Sequence, residues 1–142
     1  MQAALFDSSI YISALRRGEQ GVLALRKFSS DGPIWLSVVV LEELYAGSVD
    51  RDRHLIERLE QDFQVLKRIL VPNLEDWTAV GRVLARLAAK YHYEQIGRGR
   101  LTNDALMAMS AGRMGITIIT ANKKDFSRLA EFRKFEWRLS TL

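Results

Sequence analysis

Residues 101–126, LTNDALMAMSAGRMGITIITANKKDF, read in order as a helix, a tight turn, a strand, a loop and a second helix. Thr102 and Asn103 are good N-cap types, and Ala105, Met107, Ala108 and Ala111 favour helix. Gly112 and Gly115 break that pattern, and Ile116 to Ile119 is a short β-branched run of buried-strand character. Thr120, Ala121 and Asn122 then lead into a basic helix that carries Asp125. In an α/β sheet this order sets polar groups at the carboxyl end of a strand, where ligands bind. Asp104 shares a helical line with the small residues Ala108, Ala111 and Gly112, and no Lys or Arg stands three or four residues beyond it. A carboxylate at the core edge needs a metal, a helix N-terminus or hydrogen-bond donors. The plainer alternative is an acid in the first helical turn, favoured by the macrodipole.

Toward the N-terminus, Ala3 to Phe6 is a short apolar run expected to be a buried central strand, with Asp7 at its carboxyl end. Asp7 is either the N-cap of a following short helix through Ile10, Ile12 and Leu15 or a carboxylate at the mouth of the sheet. Residues 19–30 read as a helix, 31–33 as a turn, and 34–37 as a second strand. In the helix expected over 38–47, Leu41, Leu44 and Tyr45 form one stripe and Val40, Glu43 and Gly47 another. Glu42 lies on the flank between them, and spacing alone does not choose between Glu42 and Glu43. Residues 51–67 form a charged amphipathic helix that buries Leu55, Ile56, Leu59, Phe63 and Leu66. A third strand is expected over 69–71. The helix over 74–91 follows, with Leu74, Trp77, Val80, Leu84, Leu87 and Tyr91 as its core stripe.

Residues 93–100, YEQIGRGR, read as a loop whose Arg98 and Arg100 are suited to phosphate or simply to solvent. It is not a P-loop, because the Gly-Lys-Ser/Thr ending is missing. A last short strand is expected within 132–139. The alternation of strand and helix predicts a mainly parallel central sheet flanked by helices, an α/β/α sandwich forming one domain over residues 1–142.

Composition narrows the chemistry. The 142 residues are 48% hydrophobic and 27% charged, as in ordinary globular proteins, with a net charge of +4 that permits contact with nucleic acid. The absence of cysteine excludes disulfides and thiolate metal sites. The two histidines, His54 and His92, lie far apart and give poor support to a zinc site or a Ser-His-Asp triad. No signal-peptide pattern opens the chain, and no apolar run approaches the roughly 20 residues of a membrane helix, so a cytoplasmic protein without membrane contact is expected. Asp7, Asp104 and the loop from Thr120 to Asp125 are positioned to converge on one crevice. Carboxylates gathered there repel one another unless a cation sits between them, and oxygen-only ligands favour Mg²⁺ or Mn²⁺. Such a site suits phosphodiester hydrolysis by a metal-activated water.

Four segments, LFDSSIYISAL (5–15), SVVVLEELYAG (37–47), NDALMAMSA (103–111) and ITIITANKKDF (116–126), span most of the chain. Together and in this order they resemble PIN-domain ribonucleases, above all the VapC-type toxins of toxin–antitoxin pairs. The resemblance implies a PIN-like fold and a metal-dependent endoribonuclease in which Asp7, Glu43 and Asp104 hold Mg²⁺ or Mn²⁺. It selects Glu43 over Glu42, because the family's acid directly precedes the residue matched here by Leu44. Asp125 matches a fourth acid that varies more. Ser9 and Thr120 match supporting hydroxyl positions, and Asn122 matches a polar position at which some relatives carry an acid. Arg98, Arg100, Lys123, Lys124 and Arg128 are the candidates for guiding the RNA backbone. The resemblance further implies a homodimer held inactive by a cognate antitoxin. The competing expectations are a PIN ribonuclease of RNA processing or decay, and a catalytically silent PIN-like module that binds RNA or protein.

Overall fold

A computed structural model describes residues 2–27, 32–92 and 98–141, with the side chains of 98–100 excepted. The expected turn residue Asp31, the expected helix residue Phe28 and most of the expected 93–100 loop lie outside the described residues. The chain runs β1 (Ala4–Phe6), α1 (Ser8–Leu15), α2 (Gly18–Arg26), β2 (Ile34–Ser37), α3 (Val38–Ala46) and α4 (Asp50–Val65). It continues with β3 (Ile69–Leu70), α5 (Leu74–Tyr91), α6 (Arg98–Met114), β4 (Thr117–Thr120), α7 (Lys123–Ala130) and β5 (Trp137–Leu139).

The five strands form one parallel sheet in the order β3-β2-β1-β4-β5. β1 lies at its centre, with Leu5 opposite Trp35 on one side and Ile118 on the other. Its residues Ala4, Leu5 and Phe6 are at most 3% exposed, as expected of a strand covered by helices on both faces. Connections leave β1 toward β2 and β3 on one side, and β4 and β5 lie on the other. The order of strands therefore reverses beside β1, and the carboxyl ends of β1 and β4 border the crevice where such sheets bind ligands.

Several expectations are corrected. α6 begins at Arg98, so Thr102 and Asn103 are helical residues rather than caps. Asp104 is consequently too far along the helix for the first-turn reading, and no acid occupies the first turn. The helix ends in a Schellman motif: the Ile116 amide donates to Ala111 O and the Gly115 amide to Gly112 O. Gly115 has φ of 68°, the left-handed conformation that glycine adopts without a Cβ penalty. Gly112 stays inside the helix, where a Cβ would stand 3.2 Å from that of Phe135.

The buried face of α5 keeps Val80 and Leu87, with Leu84 and Tyr91 packed against the core, but departs from the expected stripe at the start of the helix. Leu74 and Trp77 are exposed, and Asp76, Ala79, Val80, Val83 and Leu87 face inward. Asp76 takes an inward position that periodicity assigns to solvent. Its carboxylate accepts from the Asn73 amide in a capping box and from the Arg113 guanidinium of α6, so a charged residue occupies a buried position. At the end of α4, Leu66 is likewise exposed, because it lies past the last helical turn that packs on the sheet.

Candidate active site

The site grows from the end of β1. Asp7 has left the strand, its backbone N–H still donating to Ile119 O at 3.0 Å, and its side chain caps α1 by accepting from the Ile10 amide. Both proposed roles of Asp7, cap and carboxylate at the sheet mouth, are therefore met by one geometry. Its Oδ1 accepts from the Ser9 hydroxyl at 2.5 Å and its Oδ2 from the Thr120 hydroxyl at the end of β4. The Asp7–Thr120 bond thus spans the point where the strand order reverses. Asp7 is 4% exposed and Thr120 fully buried, and among the described residues no Lys or Arg forms an ion pair with Asp7. Three neutral donors hold the charge without cancelling it.

Thr120 extends this network. Its Oγ1 accepts from the Asn122 amide at 2.9 Å, and Asn122 caps α7 by accepting from the Asp125 amide. The Asn122 side-chain amide in turn donates to Asp125 Oδ2 at 2.9 Å. A hydrogen-bonded path thus joins Asp7, Thr120, Asn122 and Asp125.

Glu43 comes from α3 on the opposite side of β1. Of the two adjacent acids, Glu42 is exposed and Glu43 half-buried. Burial raises the Glu43 carboxyl above its ordinary value; Asn103 and Ser8 lie against it and draw it down, and the charges of Glu42 and Asp7 push it up again. Its Oε1 is buried and accepts no hydrogen bond. The electrostatic coupling to Asp7 puts the two acids in one neighbourhood, and Asn103 ties α6 to it. Asp104, the next residue, is 7% exposed in that same helix. Among the described residues no three acids or histidines are drawn tightly enough together to ligate one ion as they stand. The donor set still fits a hard cation: oxygen ligands only, an excess of negative charge, and one buried carboxylate oxygen with no donor.

Ser8 and Asn103, which face Glu43, were not singled out from the sequence as site residues. Ser8 had only its place beside Asp7 to mark it, and Asn103 read as a cap. Arg16 and Arg51 were also missed. With Ile12, Leu15 and Val49 they line a groove of about 260 Å³ that includes Glu43. Lys123 and Lys124 are exposed at the start of α7 beside Asn122. Arg128 instead stacks its guanidinium over the Tyr91 ring, 4.4 Å from the centroid. The side chains of Arg98 and Arg100 lie outside the described residues.

The fold and site define an α/β protein with an acidic crevice at the reversal point of a parallel sheet. The PIN domain family model matches residues 4–132, and the chain belongs to that family. It is 29% identical over 130 residues to Ribonuclease VapC1 of Rickettsia felis, covering 88% of this chain and 89% of that protein. In structure it resembles DNA-bound VapBC from Salmonella typhimurium, with a TM-score of 0.68 and 20% identity over 98% of both chains. It also resembles VapBC2 from Rickettsia felis bound to a promoter DNA fragment, with a TM-score of 0.67 and 21% identity over 98% of this chain and 99% of that one. Among the described residues no helix is long and apolar enough to cross a membrane.

Proposed function

We propose that this chain is the toxin of a toxin–antitoxin pair and acts as a metal-dependent endoribonuclease. The observation that carries the proposal is Asp7, a buried carboxylate at the sheet's reversal point, held by neutral hydroxyls and coupled to a second, half-buried acid, Glu43. Asp7, Glu43 and Asp104 would hold Mg²⁺ or Mn²⁺, with Asp125 assisting from the start of α7. When bound, such an ion supplies Lewis acidity toward a scissile phosphate and lowers the pKa of a coordinated water. The protein's part is orientation. Ser9 and Thr120 fix both oxygens of Asp7, Asn122 fixes Asp125, and Ser8 and Asn103 bear on Glu43. Lys123 and Lys124, exposed beside Asn122, would guide the RNA backbone.

The named relatives support the toxin reading over a role in RNA processing, since they are a VapC ribonuclease and VapBC assemblies. A cognate antitoxin would dock in the groove beside Glu43, where Ile12, Leu15 and Val49 offer apolar contact and Arg16 and Arg51 offer charge. A homodimer is part of the same proposal. The exposed apolar side chains Val71, Leu74, Trp77 and Met114, all within a few residues of the Asp76–Arg113 pair in sequence, are the surface we assign to it.

The deciding experiment is cleavage of pooled cellular RNA with Mg²⁺ or Mn²⁺. It compares the wild type, the wild type in EDTA, and Asp104→Asn. Discrete fragments from the first alone are expected. No cleavage by a folded, antitoxin-free sample that also fails to bind Mn²⁺ would favour the silent binding module.

A further inference from the structure

The carboxylate site leaves a second charged feature unexplained. Arg82 and Arg86 project from successive turns of α5, and Arg133 follows the end of α7. These three arginines line a groove of about 480 Å³ with Ala79, Val83 and Phe132. A smaller cavity of about 160 Å³ shares Ala79 and Arg133 and adds Lys134 and Glu75 at the Asp76–Arg113 pair. Arg82, Arg86, Arg133 and Lys134 are all exposed. Among the described residues none of the four forms an ion pair, whereas Arg26, Arg53, Arg58 and Lys90 each do. Glu75 offsets only part of this charge, and Asp76 is already engaged by Arg113.

We infer that this groove binds the backbone phosphates of single-stranded RNA, as a second contact outside the acidic crevice; the inference rests on the ribonuclease reading above. Clustered like charges repel one another, and a polyanion relieves that repulsion while releasing its counterions. Arg82 and Arg86 are separated by about 6 Å along the helix axis, a spacing that suits consecutive phosphates of an extended strand rather than one compact anion. Guanidinium groups are matched to phosphate oxygens in geometry. Phe132 and the apolar floor add the nonpolar surface that usually accompanies a cationic track for single strands. α7 links the two places. It starts at Asn122 and Asp125 in the crevice and ends just before Phe132 and Arg133, a helix of 8 residues and so about 12 Å. A strand of several nucleotides reaches both, and a very short one reaches the crevice alone.

The test is fluorescence anisotropy of a labelled, unstructured single-stranded RNA in EDTA, so that binding is read without cleavage. It compares the wild type with the triple variant Arg82→Ala/Arg86→Ala/Arg133→Ala and with the triple Lys counterpart. The Ala variant is expected to bind about 10-fold more weakly or worse, and its slope of log affinity against log salt to shrink by about 2. The Lys variant should keep most of the slope. With metal restored, the Ala variant should show a raised KM and unchanged kcat on long RNA, and unchanged kinetics on an RNA too short to leave the crevice. Wild-type affinity and slope in an Ala variant that melts like the wild type would overturn the inference, leaving an acidic protein surface as the groove's partner. Full displacement of RNA by inorganic phosphate at constant ionic strength would also overturn it, in favour of a small-anion site. Failure of the wild type to cleave any RNA would sink the ribonuclease reading without altering the binding comparison.

Discussion

Asp7 and Asp76 are both buried, 4% and 2% exposed, and both stand at the start of a helix, α1 and α5 respectively. Their surroundings differ in one respect. Asp76 accepts two contacts from Arg113 Nε and one from Arg113 Nη2, between 2.9 and 3.1 Å, and another from the Asn73 amide. Its charge is cancelled, and the Asp76 bond in turn holds the Arg113 guanidinium above its ordinary pKa. Asp7 accepts from two hydroxyls and one amide, with no cationic side chain paired to it among the described residues and a second acid nearby. A buried acid with a fixed counter-charge ties two helices together. One held only by neutral donors keeps its field.

The sharpest test of this contrast exchanges Asp7 for asparagine. Asn caps helices as well as Asp, so Asp7→Asn should leave the melting temperature nearly unchanged while RNA cleavage falls by about 10³-fold, or roughly 4 kcal/mol. Cleavage at the wild-type rate with matched metal would remove Asp7 from the site. The converse is expected at the other acid. Arg113→Ala leaves Asp76 buried and unpaired, and urea denaturation should report a loss of about 2–3 kcal/mol, at the low end for a buried pair because water reaches the guanidinium. Its kcat, measured well below the melting point, should match the wild type. A fall in kcat would mean that the two regions are coupled.

Thr120→Val probes the support of Asp7. It removes the hydroxyl that donates to Asp7 and accepts from Asn122, and Mn²⁺ affinity by calorimetry should drop about 10- to 100-fold, with Thr120→Ser restoring most of it. The smallest effect concerns pH. The folded-state pKa of Glu43 lies above its unfolded value, so the native protein holds the extra proton between the two. Without metal, stability should fall as pH rises through that window and level off above the folded value, while metal affinity climbs over the same range. Melting curves in EDTA from about pH 4 to 8 should show this decline in the wild type and lose it in Glu43→Gln. An equal slope in both proteins would assign the pH dependence elsewhere.

Much of this was legible along the chain. The strand at 34–37 and the helix at 74–91 fall where periodicity puts them, because short β-branched or apolar runs and long amphipathic repeats each suit one geometry. Asp7, Thr120 and Asn122 could be placed because strand ends are marked by a change from apolar to polar residues. The start of α6 was hidden because Thr102 and Asn103 resemble caps, and only the structure places them inside a helix. The inward face of α5 was misread for a different reason: periodicity assigns charged residues to solvent, and it cannot foresee that Arg113, 37 residues away, will neutralise Asp76.

By itself the sequence determined the alternation of strands and helices, the parallel sheet that alternation demands, and which polar residues follow the ends of β1 and β4. Those properties are local, set by propensity, pattern and residue type over a few positions. Tertiary structure alone decided which acids are neutralised and which keep their charge. It joined Asp7 to Thr120 across 113 positions of sequence, brought Asn103 to Glu43, and assembled Arg82 and Arg86 of α5 and Arg133 beyond α7, which form no ion pair among the described residues, into one groove. Electrostatic energy depends on distance and burial in space, and neither is a property of spacing along the chain.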